Sequence, residues 1–147
     1  MQWVVEFYED FKAEFDELDP QVQDELLATA IRLEERGPLL GRPAVDTLKG
    51  SSYPNMKELR FDAGDGTWRV AFAFDPKRRA ILLVAGDKSG IGKDFFYERL
   101  IKKADKRFKR HLLDLEQEAD NENNPEGNAG KSTSGKSAKN KGKSKRT

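Results

Sequence analysis

The chain predicts an α+β fold in the order β-α-α-β-β-β-α, with a mostly antiparallel sheet, a helical hairpin packed on it and a disordered C-terminal tail. Three observations predict it. Trp68, Val70, Phe72 and Phe74 alternate with Arg69, Ala71 and Ala73, the period of two that marks a strand with one buried face. Phe11, Phe15 and Leu18, then Val22, Leu26, Ala30 and Leu33, recur at helical spacing. Glycine and proline breakers separate the two kinds of pattern, and 147 residues suffice for one two-layer core.

Trp3 to Tyr8 is a β-branched and aromatic run, read as the first strand. The Phe11 stripe makes the next segment an amphipathic helix. Asp19-Pro20 then supplies an N-cap and a first-turn proline. The second helix stops at Gly37-Pro38, because glycine accepts the left-handed cap and proline cannot continue a helix. So short a joint folds the two helices into an antiparallel hairpin whose apolar stripes need a sheet to cover. Leu39 to Pro54 reads as irregular, interrupted by Gly41, Pro43, Gly50 and Pro54. The sheet resumes at Met56, and Asp62 to Gly66 and Asp75 to Arg79 have the composition of hairpin turns. Ala80 to Ala85 is apolar on both faces, as a central strand requires. A last helix starts near Asp94 with Leu100, Ala104, Phe108 and Leu112 as its stripe. Residues 1–115 are thus the folded domain. Residues 116–147, polar and then Lys/Ser/Gly-rich, cannot bury enough apolar surface to offset their ordering entropy and are read as a disordered tail.

The net charge of +1 conceals a segregation. Met1 to Arg36 carries eleven carboxylates against three basic residues, whereas Gly37 to Leu113 carries seventeen basic residues against nine acidic. Folded together, these make one acidic and one basic side. The chain has no cysteine, hence no disulfide framework or thiolate metal site. No run approaches the ~20 apolar residues of a membrane span, and the N-terminal residues lack a signal-peptide pattern, so a cytoplasmic protein without membrane attachment is expected. Gly90-Ile91-Gly92-Lys93 is not a phosphate loop: Asp87 stands where glycine is needed and Asp94 where Ser or Thr is needed. His111 is the sole histidine and has no carboxylate four residues away on either side, so neither a metal site nor a Ser-His-Asp arrangement is indicated. No cofactor is expected.

Arg60 and Arg69 lie on neighbouring strands, with Lys88 and Tyr97 soon after. Guanidinium groups on a rigid sheet suit phosphates, since each presents a planar fork of donors that stays charged. The plainer reading makes them cross-strand partners of Glu58 and neighbouring acids. If they grip RNA, cleavage needs no histidine: the 2′-hydroxyl attacks the adjacent phosphate while one group takes its proton, another neutralises charge and a third protonates the 5′-oxygen. Lysine and tyrosine could exchange protons if a cationic pocket lowers their usual values of about 10.

The ordered combination of several segments resembles a known family. They are Val5-Glu6-Phe7, Glu14-Phe15-Asp16-Glu17-Leu18, Leu40-Gly41-Arg42-Pro43, Val45 to Ser51, Met56-Lys57-Glu58-Leu59-Arg60, Trp68 to Arg78, Leu82 to Gly90 and Phe96 to Ile101. Together, from Val4 to His111, they resemble the HigB-like, phage-derived branch of the RelE/ParE toxin superfamily. The resemblance implies a RelE/ParE-like fold and the toxin of a type II toxin–antitoxin system: a metal-independent, ribosome-dependent mRNA endoribonuclease that inhibits translation. Its implied partners are mRNA in the ribosomal A site and a cognate helix-turn-helix antitoxin. Arg60 and Arg69 are then expected at the scissile phosphate, Lys88 and Tyr97 beside it, and Lys49, Lys57 and Lys93 on neighbouring RNA. The same fold serves gyrase-poisoning toxins, and a catalytically inactive RNA- or antitoxin-binding module is a further alternative. The tail has no counterpart in the family pattern.

Overall fold

A computed structural model describes residues 2–123 of the chain. Nine elements follow one another: β1 (Val4–Phe7), α1 (Glu9–Asp16), α2 (Pro20–Arg36), a 3-10 turn at Gly37–Leu39, β2 (Val45–Thr47), β3 (Lys57–Ala63), β4 (Gly66–Phe74), β5 (Arg79–Asp87) and α3 (Lys93–Asn123). The five strands form one sheet in the order β1-β5-β4-β3-β2. Only the β1–β5 pair is parallel; the other three are antiparallel.

The sequence expectation of four strands omits β2. Its three residues lie in the segment read as irregular, yet Val45, Asp46 and Thr47 pair with Leu59, Glu58 and Lys57. So short an edge strand carries no measurable alternation and exists because β3 offers it a ladder. The helical hairpin forms as expected, but Asp19 caps α2 without a side-chain hydrogen bond; its backbone carbonyl accepts from Val22 and Gln23 instead. Gly37 ends α2 at φ +56, and a Cβ there would lie 2.3 Å from the Trp3 indole, so only glycine fits this corner.

Phe11, Val22, Leu26 and Leu33 from the helices pack with Leu59, Phe61, Val70, Phe72 and Leu82, which share one face of the sheet. The other face carries Glu58, Arg60, Arg69 and Ala71 by strand alternation, and α3 lies on it: the Phe96 ring comes within 2.9 Å of where a Gly86 Cβ would sit. Residues Ala80 to Val84 are all buried, as a central strand demands. The register skips between Ala71 and Phe72, which face Val84 and Leu82, leaving Leu83 without an opposite residue. The Leu83 carbonyl accepts Arg107 Nη1 at 2.7 Å, and the same guanidinium reaches the Glu14 carboxylate, joining α3 to both β5 and α1.

The compact unit bearing the sheet is Met1–Arg110. The last helix runs to Asn123 rather than ending before residue 116, because Glu116, Gln117, Glu118 and Ala119 favour helix without needing a core. The rest of the expected tail, 124–147, lies outside the described residues. No helix among the described residues is long and apolar enough to cross a membrane.

Candidate functional site

Strand register builds the centre of the site. Arg60 on β3 and Arg69 on β4 are directly opposed, so both side chains emerge on the α3 face. Glu58, two residues before Arg60, shares that face. From α3, Tyr97 reaches down: its hydroxyl donates to Glu58 Oε1 at 2.9 Å and accepts from Arg69 Nε at 3.3 Å. Arg69 also donates to the Trp68 carbonyl at 2.9 Å and stands 3.6 Å from Glu58 Oε1. Lys88 follows β5 at a turn held by Asp87, whose Oδ1 accepts the Ser89 and Thr67 N–H groups, while the Lys88 N–H bonds the Thr67 carbonyl at 2.8 Å. This anchoring places the Lys88 ammonium 5.7 Å from the centre of the Tyr97 ring. Lys93, the first residue of α3, is exposed, and its charge acts on Lys88.

Arg60, Arg69, Lys88, Tyr97 and Lys93 are therefore brought together, with differing access. Arg69 is only 5% exposed and already partnered, so it braces the floor instead of lying open for phosphate. Arg60 is the accessible guanidinium: its side chain is 29% exposed, 3.7 Å from Asp46 Oδ2. Lys57 alternates with Glu58 and Arg60 and so falls on the opposite face with Leu59 and Phe61. Lys49 sits in an exposed loop whose following residues, Ser51 and Ser52, bond Asp105, two helical turns along α3 from Tyr97. Neither joins the cluster. Glu58 does, although sequence reading treated it only as a neutralising neighbour. The signal was its spacing: two residues before Arg60 on one strand.

Burial pushes the Glu58 carboxyl above its ordinary range, with Tyr97, Arg69 and Arg60 pulling the other way. Burial, then the positive charges of Arg69, Arg60 and Lys93, lower Lys88. Of the two lowered values that lysine–tyrosine chemistry calls for, Lys88 moves in that direction. Tyr97 moves in the opposite direction to that expectation: burial first, and the Glu58 carboxylate with it, raise the phenol. Asp87 is held low despite burial by its bonds from Ser89 and Thr67, keeping the Lys88 turn charged and pinned.

A five-stranded, mostly antiparallel sheet with a helical hairpin on one face and a helix on the other is a RelE-like fold. The chain matches the solved structure of a double arginine-to-alanine variant of E. coli toxin RelE in the free state, at TM-score 0.50 and 15% identity over 73% of this chain and 98% of that one. Residues 13–109 match the family model of "Phage derived protein Gp49-like (DUF891)", and the chain belongs to this family. Two Mycobacterium tuberculosis proteins are close relatives. "Putative toxin HigB2" is 46% identical over 100 residues, 67% of this chain and 49% of that protein. "Putative toxin HigB3" is 51% identical over 80 residues, 54% of this chain and 68% of that protein. The match thus spans about half the length of the first relative and two thirds of the second.

Proposed function

We propose that the chain is the toxin of a type II toxin–antitoxin pair and acts in the cytoplasm as a ribosome-dependent mRNA endoribonuclease, neutralised by a cognate helix-turn-helix antitoxin. The observation that carries this reading is the grouping of Arg60, Arg69 and Lys88 with Tyr97, which bonds Arg69 and has the Lys88 ammonium 5.7 Å from its ring, in a chain kin to proteins named as toxins. Cations gathered on one face of the sheet suit a phosphodiester passing through a doubly charged transition state. The reaction joins the 2′-oxygen to phosphorus and releases the 5′-oxygen. A shallow groove has few means of bending RNA into the in-line geometry, and alignment can be worth several kcal/mol of barrier, which the ribosome supplies.

The test is controlled induction in a bacterial host with mapping of transcript ends, comparing the parent with Arg60→Ala and Tyr97→Phe. Growth arrest with new 5′ ends inside coding regions, lost in both variants, supports the reading. DNA damage with intact transcripts overturns it in favour of a gyrase poison. RNA that is bound but left whole, even with ribosomes present, marks an inactive module.

A further inference from the structure

The direction of the Tyr97 hydrogen bonds follows from its partners alone. Arg69 can only donate, and an ionised Glu58 can only accept, so the phenolic proton must point at Glu58 Oε1, 2.9 Å away. One lone pair of the hydroxyl takes Arg69 Nε. The other is all that half-buried Tyr97 has left for a substrate. Glu58 is 6% exposed and Arg69 5%, and the Tyr97 hydroxyl joins the two. A tyrosine so oriented is poorly set to donate a proton outward and well set to receive one.

Resting on the ribonuclease reading, we infer that Glu58 is a positioning residue that makes Tyr97 a proton acceptor for the attacking 2′-hydroxyl. As the 2′-oxygen bonds to phosphorus, its proton passes to the Tyr97 oxygen, and the phenolic proton passes on to Glu58. The bond from phosphorus to the 5′-oxygen breaks, and that oxygen takes a proton from the Lys88 ammonium. The products are a 2′,3′-cyclic phosphate and a 5′-hydroxyl, with Glu58 neutral and Lys88 deprotonated until solvent restores both. The groups facing Glu58 are Arg60 on its own strand, Asp46 on β2, Arg69 on β4, Lys88 after β5 and Tyr97 on α3. Burial leaves this carboxylate more ready for a proton than an exposed one, in keeping with the role.

Single-turnover cleavage of mRNA on programmed ribosomes, measured against pH with the full chain, tests the relay. The parent rate should fall on the acid side as Glu58 gains a proton. In Glu58→Gln the rate should drop about 100-fold or more and lose that acid limb. Tyr97→Phe, which leaves the Glu58–Arg69 pair in place, should do the same, and the double variant should be no slower than either single one. A spectroscopic readout is independent of cleavage: in ultraviolet titration the Tyr97 phenol, identified by its absence in Tyr97→Phe, should ionise at lower pH in Glu58→Gln. A full-rate Glu58→Gln, an acid limb persisting in Tyr97→Phe, multiplicative losses or an unmoved phenol each overturn the relay while leaving the ribonuclease standing. A parent that never cuts removes both.

Discussion

Replacing Arg69 by alanine should damage the fold as well as the chemistry, and the size of the effect can be worked out. Arg69 is 5% exposed and Glu58 6%, with 3.6 Å between Nε and Oε1. Without the guanidinium, Glu58 keeps the Tyr97 hydroxyl and loses its nearest positive charge. Stripping one partner from a buried pair costs about 3–5 kcal/mol. Glu58 has an escape: it can bind a proton. From the ordinary carboxyl value of 4.5, neutralisation at pH 7 costs at most about 3.5 kcal/mol, using roughly 1.4 kcal/mol per pH unit, and that caps the charge penalty. The sign follows from linkage. A carboxyl raised in the folded state binds more protons there than when unfolded, so stability is greatest at low pH and is lost as pH rises from the unfolded value through the folded one. The Arg69→Ala deficit should therefore be below about 1 kcal/mol at pH 5 and about 3 kcal/mol at pH 7. Urea unfolding followed by circular dichroism reads this directly. With a slope of about 1.5 kcal/mol per molar, the midpoint at pH 7 falls by about 2 M. Adding Glu58→Gln should recover most of the loss. A midpoint unmoved at pH 7, or the same deficit at both pH values, would refute a buried charge pair. Lost toxicity in Arg69→Ala alone therefore says little about catalysis.

Arg60→Ala is the cleaner probe: with its side chain 29% exposed, it should change stability by less than about 1 kcal/mol in the same unfolding assay. Its cleavage on ribosomes should nevertheless fall about 100-fold, as when one transition-state donor is removed. Gly86→Ala puts a Cβ 2.9 Å from the Phe96 ring and should cost about 1–3 kcal/mol in a thermal melt, because α3 must shift to admit it; an unchanged melting temperature contradicts that packing. Binding of a short single-stranded RNA should weaken with salt at a log–log slope near about −2, from roughly 0.7 for each phosphate held by Arg60, Lys88 and Lys93; a flat dependence in a gel-shift series excludes them as the contacts.

Much of the architecture was readable because periodicity is local. The stripe from Val22 to Leu33 and the alternation from Trp68 to Phe74 name helix and strand without reference to anything else, and both meet in one core. β2 was hidden because three residues cannot show a period, and the skip at Leu83 because a bulge depends on the partner strand. Helix beyond residue 115 was missed by equating polarity with disorder, although solvated Glu, Gln and Ala can carry a helix unaided.

At the site the division is similar. The chain alone determined which residue types were available: two arginines one hairpin apart, a lysine at a strand end, a tyrosine in the next helix, and no histidine or cysteine chemistry to compete. Tertiary structure decided where each of them stands. Opposed register brings Arg60 and Arg69 to one face, alternation sends Lys57 to the other, and the seating of α3 over Gly86 sets the Tyr97 hydroxyl between Glu58 and Arg69. Burial then separates near-identical side chains into a covered one and an accessible one, and moves Lys88 down while it moves Tyr97 up. Solvent access and the dielectric around a charge belong to the packed assembly of strands and helix, and no spacing along the chain encodes them.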